Sequence, residues 1–327
     1  MCRLAYLHFD PSVSPERRLR ATEAVLRASW DLGNRDGAGY VTWTPAGGTV
    51  VGRALDIEHL KWPTAADIGT DVLVHARLST NIKALAYTHP FAAADAYLVH
   101  NGVVHVPDLT LSQTLEDKAK TENDSELILK AYLASDRKLD KALSHIAGMA
   151  NVLLWDERRN VLSIYAHSTD FQIWRQDGIT LVCQENRQSE GIIVGGLAKP
   201  YEFARVPNGR LVELPLEHSL TDGEWVKAML KAVKNAGKVK RPTDSTVYYK
   251  GTGSGFADYA NGVRSVTDGW DFDNGVWVQK SKGYVVNGRK YSDDGRLLST
   301  ERLSKKQRKL LRKTFALYES EKEEDKR

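Results

Sequence analysis

The chain has only two cysteines, Cys2 and Cys183, among its 327 residues. Two cysteines cannot staple a disulfide scaffold, and so low a content fits a reducing, cytoplasmic setting. Long apolar runs are missing too: nothing approaches the roughly 18 residues of a membrane-spanning helix. The N-terminal run from Leu4 to Leu7 is broken at His8, too short for the core of a signal peptide. No membrane partner is expected. Phosphate loops are also scarce: there is no Gly-Lys-Thr or Gly-Lys-Ser, no Ser-Gly-Gly pyrophosphate loop and no paired-acid phosphoribosyl site. Gly251-Thr252-Gly253-Ser254-Gly255 has the glycines of a phosphate cradle but no lysine after them, and reads better as a hairpin linker. What is present is ordinary for a folded protein, 42% hydrophobic and 27% charged, which excludes a disordered or collagen-like chain.

Charge is unevenly spread. Residues 216–327 hold 23 Lys and Arg against 16 Asp and Glu, a net of +7, whereas the first 215 residues carry a net of −3. A basic tail on a mildly acidic body is suited to an anionic partner. Contact of the tail with nucleic acid is the minority reading, since a solvated basic face is the commoner fate of such runs.

Apolar spacing gives a coarse map. Residues 2–9 read as a strand, and Ser14-Pro15-Glu16 starts a helix whose apolar stripe, Leu19, Val25 and Leu26, runs to Trp30. Tyr40 to Thr44 and Thr49 to Val51 form a hairpin around Pro45-Ala46-Gly47-Gly48, and Asp71 to Arg77 and Ala94 to His100 are buried strands. Asn123 to Ala147 reads as one helix. Four short strands follow: Val152 to Trp155, Val161 to Tyr165, Phe171 to Trp174 and Thr180 to Cys183. Strands and helices without strict alternation favour an α+β layered fold over a doubly wound one. Thr221-Asp222-Gly223-Glu224 is a capping box, and Trp225, Met229, Ala232 and Val233 continue it as an amphipathic helix. Three domain segments are expected: 2–215 as the body, 216–245 as a helix and linker, and 246–327 as a small basic β-rich appendage. Turn pairs such as Asn274-Gly275 and Asn287-Gly288 shape the appendage, and residues 304–318 form its last helix.

The chemistry begins at Cys2. Methionine before a small residue is the usual substrate for initiator removal. Cys2 would then carry a free α-amine with a pKa near 8, a base within the same residue as the thiol. Taken alone, Cys2 reads more simply as a small residue that follows Met1. Cys183, inside an expected strand, reads as a small buried hydrophobe.

Four further segments stand in order behind Cys2. They are Asn34-Arg35-Asp36-Gly37-Ala38-Gly39, His75-Ala76-Arg77-Leu78-Ser79-Thr80, Leu98-Val99-His100-Asn101-Gly102 and Thr121-Glu122-Asn123-Asp124-Ser125-Glu126. With them the chain resembles the class II glutamine amidotransferases, whose glutaminase domain uses an N-terminal nucleophile. The likeness covers roughly residues 2–215. Ile193-Val194 with Leu197, then Val206-Pro207-Asn208-Gly209, resemble the strand and turn that close the family domain. It implies a four-layer αββα N-terminal-nucleophile hydrolase sandwich, carrying here a small β-rich and helical appendage.

The resemblance also implies roles. Cys2 is the nucleophile, and Asn101 and Gly102 form the oxyanion hole. Arg77 grips the α-carboxylate of L-glutamine bidentately, with Thr80 adding a hydroxyl, and Asp124 holds the α-ammonium. His89, in Tyr87-Thr88-His89-Pro90-Phe91, falls in the histidine-proline segment beside the substrate, though the usual asparagine is lacking. His75 and His100 are supporting residues. Neither a cofactor nor a metal is implied. Two plainer readings compete: Asp124 as a simple helix cap, and Asn101-Gly102 as a type I′ turn. Leu78 stands where the sugar-phosphate branch has tryptophan, and Asn81 where histidine is common, so ammonia gating and specificity are expected to differ.

The expected activity is hydrolysis of L-glutamine to glutamate and ammonia through a Cys2 thioester. Family members pass the ammonia to a large second domain. Only about 110 residues follow the body here, so a separate synthetase or transferase is the expected acceptor. Two alternatives remain at this stage: an amidohydrolase for another γ-glutamyl amide, and a non-catalytic binding protein that uses its basic tail.

Overall fold

The first helix is built by its own local signals. Ser14 accepts a hydrogen bond from the Arg17 N–H, Pro15 opens the first turn, and the helix runs over Pro15–Asp31. In the computed structural model, residues 2–79, 83–117, 119–121, 123–167, 169–184, 201–215 and 218–242 are described, with five short strands between 263 and 291. Contacts divide the chain into Met1–Asp244 and Ser245–Arg327.

In the first unit the elements are β1 (Arg3–Phe9), α1 (Pro15–Asp31), β2 (Ala38–Trp43), β3 (Thr49–Ala54), β4 (Asp71–Ala76), β5 (Phe91–Ala93) and β6 (Ala96–His105). Next come α2 (Leu109–Glu116), α3 (Asp124–Ala134), α4 (Leu139–Leu143), β7 (Ala147–Asp156), β8 (Val161–Ala166), β9 (Phe171–Gln176) and β10 (Ile179–Cys183). β11 (Tyr201–Val206), β12 (Arg210–Pro215), α5 (Asp222–Lys234) and β13 (Gly237–Lys238) complete it. Two antiparallel sheets result. One has the order β11-β9-β10-β1-β4-β2-β3, the other β13-β12-β8-β7-β6-β5.

The alternation of β1 shows how the layers form. Ala5, Leu7 and Phe9 point to one face, where they meet Val25 and Leu26 of α1. Leu4 and Tyr6 point to the other and pack on Leu153 and Trp155 of β7 in the second sheet. The far face of that sheet, with Leu98 and Val152, is covered by Ile128 and Tyr132 of α3 and by Leu139 and Leu143 of α4. The fold is therefore an α+β sandwich of four layers, α-β-β-α. β1 is the central strand of its sheet and is buried from Leu4 to Phe9, so Cys2 stands just before the buried run.

Two elements differ from their sequence reading, and α5 forms as its capping box predicts. The single helix expected over 123–147 is two helices, α3 and α4. Between them Asp136 (φ 54°) and Arg137 (φ 57°) turn left-handed, and Arg137 pairs with the buried carboxylate of Asp156 at 2.7 Å. The Tyr132 hydroxyl donates to the same oxygen at 2.5 Å, so the break is held by one buried acid. Strand β6 runs past His100 to His105. Helix α5 inserts Trp225 and Met229 into the layer between the sheets, Trp225 stacking on Tyr6 and His8.

At the start of β4, Asp71 is buried. It accepts hydrogen bonds from Tyr6, from Nδ1 of His8 at 3.0 Å and His218 at 2.8 Å, and from Thr70 at 2.7 Å. Burial opposes its ionisation, yet the bonds from His218, His8 and Tyr6 outweigh it and hold the carboxyl well below the usual carboxylate range. A depressed folded-state pKa contributes stability that is full above the unfolded value near 4 and fades as pH falls below it. Asp71→Asn is therefore expected to cost about 3 kcal/mol at pH 7, with the deficit shrinking in acid. Denaturant unfolding of both proteins at two pH values checks this, and equal stability at pH 7 would refute it.

In the second unit, β14 (Val263–Arg264), β17 (Tyr284–Val286) and β18 (Arg289–Tyr291) form one small sheet. β15 (Asp271–Asp273) pairs with β16 (Val276–Val278), Asp273 opposite Val276. The expected helix over 304–318, the Gly251–Gly255 run and the Ile193–Leu197 strand lie outside the described residues. Among the described residues no helix is long and apolar enough to cross a membrane.

Candidate active site

Antiparallel pairing of β1 with β4 sets Arg3 opposite Ala76, so Cys2 stands level with Arg77. The Cys2 thiol reaches the Leu78 carbonyl, Sγ to O 3.6 Å. On the other side of β4 the loop carrying Asp36 and Gly37 clasps the same segment. The Arg77 N–H donates to the Gly37 carbonyl (2.7 Å), the Asp36 N–H to the Arg77 carbonyl (2.9 Å), and the Ser79 N–H to the Asp36 carboxylate (2.8 Å). Gly37 has φ +150°, and a Cβ there would fall 2.7 Å from the Thr88 hydroxyl. That accounts for a glycine within the 34–39 segment.

A chain of imidazoles ties this sheet to the other. His75, two residues before Arg77, contacts the His100 carbonyl through Nε2 at 3.2 Å. His100 contacts the Met149 carbonyl through Nε2 (3.2 Å) and Ser125 Oγ through Nδ1 (2.9 Å). Burial, with the charges of Arg77 and His100 assisting, pushes His75 down to about 3, and burial lowers His100 as well. Both rings are thus neutral at pH 7. A neutral His100 that donates to Met149 from Nε2 must accept from Ser125 at Nδ1. Four elements, β4, β6, β7 and α3, are locked by these few bonds.

The Asn101-Gly102 pair sits in mid-strand, opposite Asn151 and Ala150 of β7, and is not a turn. Gly102 has φ +149°, and a Cβ would come within 2.0 Å of the Met149 carbonyl, so only glycine fits. Asn101 is buried, and its Nδ2 donates to Gln184 Oε1 at 3.0 Å. Asp124 does not cap α3. Asn123 does, accepting from the Ser125 N–H, while Asp124 Oδ2 accepts from the Val104 N–H of β6 at 2.9 Å. Its carboxylate is thereby held beside the strand that carries Asn101 and Gly102.

The electrostatics join these groups. Cys2 is half-buried, and burial pushes its thiol up. The Leu78 carbonyl contact and the Arg77 charge pull it back, and the Asp124 charge adds to the rise. Arg77 is 3% exposed. Burial weakens its hold on its proton, against the opposing pull of Cys2, Asp36, Asp124 and Tyr87. The Cys2 thiol, the Arg77 guanidinium and the Asp124 carboxylate thus act on one another at one end of the sandwich.

His89 is buried, its ring packed at a 31° tilt against His75 with centroids 4.0 Å apart and edge-on to Phe91, and burial keeps it well below the usual imidazole range. Thr80 lies outside the described residues. Cys183 is fully buried in the core between α1 and its sheet. Among the described residues no group of three or more His, Cys, Asp or Glu is placed to hold a metal ion. Gln184 was missed from sequence. The signal for it was slight, a polar amide directly after the apolar run 179–183, and its meaning depends on β10 pairing with β1, where Cys183 faces Ala5.

Residues 75–168, which include Arg77, Asn101, Gly102 and Asp124, match the family model of the glutamine amidotransferase domain. That stretch of the chain is similar to a glutamine amidotransferase domain. A glutamine phosphoribosylpyrophosphate amidotransferase from B. subtilis superposes with TM-score 0.50 at 16% identity over 66% of this chain. This chain spans 47% of that enzyme, so the likeness is one of fold. An allosteric regulatory enzyme of purine biosynthesis gives TM-score 0.49 at 15% identity, over 65% of this chain and 47% of its own. A predicted glutamine amidotransferase from Pseudomonas aeruginosa gives 0.34 at 14%, over 68% of this chain and 95% of its own. No curated protein sequence matches the chain.

Proposed function

We propose that this domain hydrolyses L-glutamine to glutamate and ammonia through a thioester on Cys2, and that a separate synthetase or transferase uses the ammonia. The observation that carries the reading is the placement of the Cys2 thiol at the end of the central strand, within the fields of both Arg77 and Asp124. A free amino acid needs such a pair, a guanidinium for its carboxylate and a carboxylate for its ammonium. Thr80 and His89 are proposed as further substrate-binding residues on the resemblance alone.

The steps follow from the groups present. Removal of Met1 frees the Cys2 amine. The amine takes the thiol proton as sulfur attacks the amide carbon, and the C–S bond forms. The developing oxyanion is met by the Asn101 amide and the Gly102 N–H. The amine returns the proton to the departing nitrogen, the C–N bond breaks and ammonia leaves. Water then attacks the thioester and releases glutamate. Because burial raises the thiol, it is protonated at neutral pH and needs this base. Accordingly kcat/KM is expected to rise with pH to a plateau above about 8, the ordinary pKa of an α-amine. A profile flat from pH 6 to 9 would mean a preformed thiolate and contradict it. The direct test is incubation of the Met1-processed protein with L-glutamine. Glutamate and ammonia in equal amounts are expected, and release of neither would overturn the reading.

A further inference from the structure

Asn101 has two amide protons, and one is already engaged: Nδ2 donates to Gln184 Oε1 at 3.0 Å. Gln184 is held in turn at its other end, where Nε2 donates to Thr169 Oγ1 at 2.7 Å. The direction of this short chain matters. With Gln184 held this way round by Thr169, an Asn101 amide turned alone would set its own oxygen against the Gln184 oxygen, two acceptors face to face. It would also present an acceptor where an oxyanion forms. Gln184 and Asn101 are both buried, so an unmade bond between them has no water to replace it. The bond also crosses the sandwich. Gln184 directly follows β10, which pairs with the β1 strand behind Cys2, whereas Asn101 belongs to β6 of the other sheet.

We infer that Gln184 is a positioning residue of the oxyanion site, fixing the Asn101 amide so that its second Nδ2 proton faces the carbonyl attacked by Cys2. The inference rests on the reading of Asn101 as an oxyanion donor. Gln184 touches no reacting atom, and it works by keeping a donor pre-aimed before charge develops.

The test uses the full processed chain with L-glutamine. Gln184→Met keeps the side-chain length and removes both hydrogen bonds, while Thr169→Val removes only the outer anchor, at an exposed residue. Expected losses in kcat are about tenfold for Gln184→Met and about threefold for Thr169→Val, with KM nearly unchanged, against about a hundredfold for Asn101→Ala. In the Asn101→Ala background, Gln184→Met should cost nothing further. A second readout is the aldehyde analogue of glutamine. The Cys2 thiol passes its proton to the α-amine as sulfur adds to the aldehyde carbon, the C–S bond forms, and the π pair becomes an oxyanion that draws on the same donors. Its inhibition constant should rise about tenfold in Gln184→Met, in step with kcat, while that of L-glutamate stays fixed. A merely structural role would move both constants.

Equal losses in the two backgrounds, or a raised KM with kcat intact, would overturn the inference. Unchanged kcat in Gln184→Met beside a damaged Asn101→Ala would remove the inference and leave the oxyanion reading standing. Unchanged kcat in Asn101→Ala, or no hydrolysis by the unaltered protein, would remove both.

Discussion

Cys2→Ala is expected to abolish glutamine hydrolysis, by more than about a thousandfold, while glutamine binding persists. The two halves of this expectation have separate causes. On the proposed mechanism turnover requires the sulfur, which forms the bond to the amide carbon. Binding on the same proposal requires Arg77 and Asp124, which the substitution leaves in place. Alanine at this position is also small enough for initiator removal to continue, so the N-terminal amine survives and cannot by itself sustain the reaction. The fold should be unharmed, because Cys2 precedes β1 and its thiol makes only a weak bond to the Leu78 carbonyl. Calorimetric titration with glutamine, beside an assay for glutamate, measures both halves. Retained turnover would remove Cys2 from the chemistry. Lost binding with turnover would show that the substitution disturbs the pocket.

Arg77→Ala should fall on the other constant. A buried guanidinium paired with a substrate carboxylate is worth about 3 kcal/mol, so KM is expected to rise about a hundredfold. Arg77→Lys keeps the charge but loses the fork, and is expected to recover only part of that loss. Arg77 also sits among Asp36, Asp124 and Tyr87, so a stability cost accompanies the change. Asp124→Asn supplies the control. An asparagine oxygen can still accept from the Val104 N–H that Asp124 engages, so the strand contact is kept while the charge for the substrate ammonium is lost. KM should rise in this variant too, with its melting temperature near that of the unaltered protein. A fall in kcat with KM unchanged in both variants would place the substrate head elsewhere.

Local signals were legible wherever the physics is local. Ser14-Pro15 starts α1, the Pro45–Gly48 turn joins β2 to β3, and Thr221 with Glu224 closes the capping box of α5. The layered α+β class could also be read, because strands and helices follow one another without strict alternation. What escaped depends on partners distant in sequence. Nothing near residue 136 announces that Asp156 will draw Arg137 and break the helix. The Asn-Gly pair at 101–102 is a favoured turn by local preference, yet the pairing of β6 with β7 makes it mid-strand, where the Met149 carbonyl leaves no room for a Cβ. Asp124 at a helix start looks like a cap, but Asn123 takes that task and frees the acid to reach β6. Gln184 is the extreme case. Its place beside Asn101 follows only from the two sheets packing face to face.

The proposed chemistry stands most directly on one species, the glutamyl thioester at the chain's new N-terminus. Acid quenching during turnover with L-glutamine, followed by mass analysis of the N-terminal peptide, would display it. The expected result is a peptide beginning at Cys2 and heavier by one glutamyl group, absent from Cys2→Ala and lost on treatment with hydroxylamine. Active turnover from a chain that retains Met1, or turnover with no glutamyl adduct on Cys2, would contradict the mechanism.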